Sequence, residues 1–236
     1  MLIDILSVVP LLVLLAGVLL AHTGVLSPLG GFGIFALSVP LGIVLAVIMV
    51  IGRSKGWVHA GAVPTTLCMM PLVFVAAGAA PGLKLPRIND IVTDTANPPR
   101  FVRAAELPEN HGRDMEFPAS FAAEIQRGYP DLKPIRVGLH SGDVRQVFDA
   151  AHEVAKGWEG WTITLADPEQ GIVEGYAVTY LFRFRDDFVI QVRQEGDEAI
   201  VNMRSKSRDG KGDLGANARR IRNYLRVFQQ KLGLTA

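Results

Sequence analysis

Residues 202–224 read NMRSKSRDGKGDLGANARRIRNY, the densest set of side chains in the sequence with which chemistry could be done. Arg204, Lys206, Arg208 and Lys211 precede a helical pattern, and the unpaired amides at a helix start favour an anion. Asp213, however, is spaced to fill that helix start itself, and the glycines match neither a Walker loop nor a dinucleotide fingerprint. A capped turn is the expectation. Asp186, Asp187 or Asp213 would then hold Arg193, Arg204 or Arg208 in a buried ion-pair network.

For covalent chemistry the inventory is thin. An enzymatic site would have to combine Arg193, Arg204, Ser205 and Asp187, and a serine nucleophile would need a base that the sequence does not reveal. His111, His140 and His152 lack metal-ligand spacing. The one cysteine, Cys68, lies in an apolar run and permits no disulfide within the chain. Neither metal nor cofactor is expected. Trp158 and Trp161 read as packing aromatics.

The elements that must position these residues follow from periodicity. Ile135, Val137 and Leu139 alternate as a strand; Ser141 is placed as a helix N-cap with Asp143 in the first turn, ahead of a stripe of Val144, Val147, Phe148, Ala151, Val154 and Trp158. WTITLAD at 161–167 alternates, turns through 167–171, and continues into a run from Ile172 to Phe184. A three-residue loop at 185–187 sets Phe184 opposite Phe188, Phe182 opposite Ile190 and Tyr180 opposite Val192. Gly196 and Asp197 suit a type II′ turn, which sets Val192 opposite Val201, Ile190 opposite Met203 and Phe188 opposite Ser205. A last helix runs from about Asp213 to Leu232, with Leu214, Ala218, Ile221, Leu225, Phe228 and Leu232 on one side. The fold class is α+β: a β-α-β-β-β-α domain over 129–236, an antiparallel sheet with helices on one face.

With the apolar side under the helices, the other face carries Arg183, Gln191, Arg193, Asn202, Arg204 and Lys206. This is the candidate ligand or partner face, a positive surface suited to an acidic partner or anionic headgroups. Alternatively, Asp90, Asp94 or Glu106 of the preceding segment neutralises it. That segment, 83–128, reads as a proline-rich extended lead-in, with six prolines between 81 and 118.

Residues 1–82 are of another kind, with only Asp4, Arg53 and Lys55 charged. Spans at about 5–21, 32–51 and 61–80 have the ~20 apolar residues that a bilayer crossing needs, so a three-helix transmembrane anchor is expected. No charged side chain lies inside the spans, which argues against transport. Ser38, Thr65 and Thr66 read as helix-packing groups. Arg53 and Lys55 in the second loop place that loop in the cytoplasm and the folded domain outside, in the periplasm of a cell envelope. A net charge of +1 predicts no nucleic-acid partner.

NDIVTD (89–94), YPDLKP (129–134), the aspartates at 186 and 187, and above all RSKSRDGKGDLGANARRI (204–221) resemble domain of unknown function family 1499 over roughly residues 88–232. The resemblance implies a domain without an established activity, often behind a membrane anchor, and assigns no catalytic residue. The reading is a membrane-anchored envelope protein with a binding or scaffolding domain. Its partners would be membrane lipids and a membrane protein or a second copy. The alternative is an enzyme of unknown reaction at the four residues named above.

Overall fold

The computed structural model describes residues 2–57, 62–139 and 143–234, in two compact units. The first comprises Met1–Lys84 together with Tyr180–Phe184, and the second Leu85–Thr179 with Arg185–Ala236. His140 and Ser141 lie outside the described residues.

In the first unit the long apolar runs form α1 (Leu2–His22), α2 (Pro28–Ser54) and α3 (Ala62–Ala79). Ser27 caps α2 by accepting from the Gly30 amide at 3.1 Å, and Pro28 stands at the first helical position, where its missing N–H costs nothing. Two stretches, Pro28–Ser54 and Val63–Gly82, are long and apolar enough to cross a membrane; Leu6–His22 is apolar but shorter. Large side chains such as Leu15, Leu19, Val44 and Ile48 face outward, whereas Ser7, Ser38, Ala46 and Cys68 are buried. Glycine permits the close approach inside: a Cβ at Gly42 would stand 2.1 Å from the carbonyl oxygen of Cys68.

The second unit is built on one antiparallel sheet. Its elements are β1 (Asp90–Val92), α4 (Arg103–Glu106), α5 (Phe121–Gly128), β2 (Ile135–Gly138), α6 (Val144–Lys156), β3 (Trp161–Asp167), β4 (Ile172–Val178), β5 (Arg185–Glu195), β6 (Glu198–Ser207) and α7 (Ala216–Lys231). The strand order is β1-β6-β5-β4-β3, with β2 also paired to β6.

The expected β5–β6 register is observed: Val192 opposes Val201, Ile190 opposes Met203 and Phe188 opposes Ser205. Gly196 at the turn has φ 62°, as the hairpin requires. The expected continuation to Phe184 is corrected. β4 ends at Val178 and pairs with β5 through Gly175 opposite Phe188 and Val173 opposite Ile190, so residues 180–184 are no part of the strand. Their rings pack instead in the first unit, with Phe182 centred 5.4 Å from Phe32 and 5.1 Å from Phe35. Four strands, β3 to β6, follow α6, where the β-α-β-β-β-α pattern has three. The segment read as extended also carries β1, α4 and α5.

α6 and α7 lie on one face of the sheet, over Phe188, Ile190, Val192, Val201 and Met203. Asp143 caps α6 by accepting from the Arg145 amide at 3.0 Å. Trp161 stacks on Tyr224 (5.7 Å) and meets the tilted ring of Phe188 (4.2 Å), and the Tyr224 hydroxyl donates to the Ala151 carbonyl at 2.9 Å, tying the helices together. Beneath the opposite face, Phe101 and Ala104 pack on Ile172 and Val189.

Candidate functional site

Along β6 successive side chains go to opposite faces. Arg204 and Lys206 point away from α6 and α7, and Ser205 and Ser207 point toward them. Pairing with β1 brings Asp90 beside Lys206. Arg204, only 1 % exposed, donates from Nε and Nη2 to the two oxygens of Asp90 at 2.9 and 2.8 Å, and Lys206 Nζ reaches the same carboxylate at 3.0 Å. The guanidinium also donates to the carbonyls of Pro99 (3.1 Å) and Met115 (2.9 Å) and lies over the Phe101 ring at 4.7 Å. One arginine thus pins both limbs of the 93–118 segment to the sheet.

A second carboxylate, Asp187, accepts from Arg208 Nη2 at 2.7 Å and from Asn110 Nδ2 at 3.1 Å, with Arg113 at 3.6 Å. Beside it, buried Glu174 accepts from the amides of Val102 and Ala104, the latter at 2.8 Å. Burial raises the Glu174 pKa above the ordinary carboxylate range, although these amide bonds pull it down. Ionisation of Glu174 therefore opposes folding: its stabilising contribution is full at acid pH and is lost as pH rises through the raised folded-state value. The stability advantage of the wild type over Glu174→Gln should shrink as pH rises above the ordinary glutamate value of about 4.3, measured by urea midpoints. A constant or growing advantage would mean that the amide bonds outweigh the burial.

On the helix side, Asp186 accepts from Arg220 at 2.5 Å, Ser205 Oγ donates to Asn217 Oδ1 at 2.7 Å and accepts from Arg220 at 3.0 Å, and Asn217 donates to Ser207 Oγ at 2.9 Å. Asp213 accepts from the amides of Gly215 (2.8 Å) and Asn217 (2.7 Å), so it does occupy the start of α7. Burial raises its pKa. Gly215 has φ 78°, and a Cβ there would meet Leu85 at 2.5 Å, so the turn ahead of α7 admits little else. Tyr129 lines the same turn, and burial, followed by the charge of Asp213, pushes its hydroxyl pKa up to about 12.

Of the expected face, Gln191, Arg193, Asn202, Arg204 and Lys206 do share one side of the sheet. That side is not open. Asn202 is buried, hydrogen-bonded to Thr93 and donating to the Asn97 carbonyl at 3.0 Å. Arg204 and Lys206 are buried on Asp90, because a lone charge under a covering segment would carry a large desolvation cost. Arg183 is not on the sheet at all: it sits in the 180–184 loop, exposed, with φ 62°. The four-residue enzymatic combination does not converge either, since Ser205 lies on the opposite face from Arg204 and the Asp187 carboxylate. Among the described residues no group of three or more His, Cys, Asp or Glu is placed to hold a metal ion.

What stays accessible is an open groove of about 740 Å³ between residues 96–117 and the sheet. Asn97, Arg100, Phe117, Gln170, Gln191 and Arg193 line it. Arg193 pairs with Glu195 at 2.6 Å and reaches Asp94 at 4.0 Å. Arg100 is exposed and makes no ion pair or hydrogen bond among the described residues. Glu174, Asn110, Arg113 and Asn217 escape a reading of the sequence. The only signal for Glu174 was an acid at an inward position of β4.

The family described as a protein of unknown function (DUF1499) matches residues 90–228. The chain belongs to the DUF1499 family. The match begins at Asp90 and ends at Phe228, so it spans the carboxylate shared by Arg204 and Lys206 as well as the buried side of α7. In this DUF1499 domain the arginine-serine run of β6 serves as an internal clasp, each residue satisfied on its own face. No curated protein shows significant similarity to the chain.

Proposed function

We propose that this DUF1499 protein is a membrane-anchored module that binds an extended polypeptide segment in the groove beside β5. The observation that carries the reading is the pairing of an unpartnered cation, Arg100, with the amide side chains of Asn97, Gln170 and Gln191 along that groove. Amides match the peptide backbone, Phe117 and Ile172 offer apolar contact, and Arg100 favours an acidic residue. A photo-crosslinking amino acid at Arg100 or Gln191 is expected to yield one discrete protein adduct in cells, and at Lys156, on α6, none. Equal adducts from all three positions, or none from the groove, would remove the groove as the binding site.

The anchor reading is supported by the inverted packing of α1–α3, large apolar side chains outside and small or polar ones inside, the arrangement suited to lipid. Arg53 and Lys55 favour a cytoplasmic second loop and hence a domain displayed in the periplasm. A reporter that matures only after export, fused to the C-terminus, is expected to be active; activity confined to a fusion at Gly52 would reverse the orientation.

A further inference from the structure

The loop at 180–184 presents a combination that neither the sheet nor the proposed groove uses. Tyr180 is 82 % exposed and Leu181 52 % exposed, yet the loop is held in place by Phe182, which is buried against Phe32 and Phe35. Tyr180 meets His22, the last residue of α1, ring to ring at 6.1 Å. Phe184 lies 6.2 Å from Phe32. The loop therefore sits at the α1–α2 end of the helical unit, where Val25 and Leu29 are also exposed.

Arg183 holds a left-handed backbone at φ 62°, a conformation a non-glycine residue adopts at some cost. Its side chain is exposed and has no partner among the described residues. An apolar side chain, a tyrosine with its hydroxyl free and an unpaired arginine at the end of apolar helices are the chemistry of the boundary between acyl chains and headgroups.

We propose that Tyr180–Phe184 is an interfacial anchor that inserts Leu181 and Tyr180 at the headgroup–acyl boundary of a bilayer, with Arg183 at the lipid phosphates. The inference rests on the membrane reading of α1–α3. A lipid surface is the occupant because Phe32, which Phe182 and Phe184 contact, is itself 42 % exposed on α2, a helix whose Leu37 and Val44 also face outward. Phe182 acts as the dowel that fixes the depth of the loop against that helix.

The test uses the full chain in vesicles of phosphatidylcholine and phosphatidylglycerol, with a nitroxide at single introduced cysteines. Native Cys68 is 1 % exposed, and the unsubstituted protein controls for its labelling. Leu181→Cys is compared with Val47→Cys on the outer side of α2 and with Asp197→Cys at the β5–β6 turn, through the ratio of collisions with oxygen to collisions with a water-soluble nickel chelate. The expected ratio at Leu181→Cys is severalfold above that at Asp197→Cys and below that at Val47→Cys. If Val47→Cys reads as lipid and Leu181→Cys equals Asp197→Cys, the loop proposal is overturned and the anchor stands. If Val47→Cys reads as water, both fall. Should Leu181→Cys fail to fold, Tyr180→Cys is read by the same comparison.

Discussion

Asp90→Ala is expected to lower the stability of the sheet unit by about 3–5 kcal/mol, the usual consequence of removing one partner from a buried ion pair. Asp90 is fully buried, and its loss would leave Arg204 and Lys206 facing each other without a counter-charge. The carbonyls of Pro99 and Met115 would lose their donor as soon as Arg204 turned away to find water. The near-ultraviolet circular dichroism of Trp158 and Trp161, stacked at 5.4 Å in the core, reports the unfolding in denaturant. Arg103→Ala, which breaks only an exposed pair with Glu106, serves as the control and should leave the midpoint in place. A loss at Asp90→Ala below about 1 kcal/mol, the range of an exposed pair, would mean that the buried network does not hold the covering segment.

The other large effect is expected at Gly42→Leu. Overpacking a filled interior ordinarily costs about 1–3 kcal/mol, and here the obstacle is backbone, the Cys68 carbonyl, which cannot swing aside as a side chain can. Separation of α2 from α3 should follow, seen as a lower midpoint in a sodium dodecyl sulfate titration of the full chain. Gly33→Leu, where a Cβ would meet nothing within 4 Å, should tolerate the same added volume. Equal midpoints for the two variants would show that the helices do not meet at Gly42.

These two sites also mark what could be read from the residues. The β5–β6 register was legible because alternation on both strands and a glycine turn leave one pairing that keeps Val192, Ile190 and Phe188 on the apolar side. The neighbouring pairing was misread because Tyr180, Phe182 and Phe184 alternate just as a strand would. Alternation records that one side of a segment is buried, but not what buries it. β4 ends at Val178, and the loop that follows holds Arg183 in a left-handed backbone although arginine carries no turn signal. The charged face was legible as a face but not as an interior. The segment that covers it is rich in proline and short of periodicity, and a single carboxylate at Asp90 balances cations more than a hundred positions away. Glu174 was hidden for the same reason, since its partners are backbone amides that any sequence supplies.

β6 pairs with β1, β2 and β5, and its side chains enter both polar networks. The bond between Lys206 and Asp90 joins residues 116 positions apart. During synthesis, β1 and the segment after it therefore emerge long before the strand that completes them, with Asp90 and the carbonyls of Pro99 and Met115 still in water. Closing so long a loop is entropically costly and slow. A ribosome stalled before Glu198 would hold a chain in which β1 and β2 have no strand to pair with. The last strand to be made is thus the one that β1, β2 and β5 all await, and the sheet unit should acquire protease resistance in a single late step, not strand by strand.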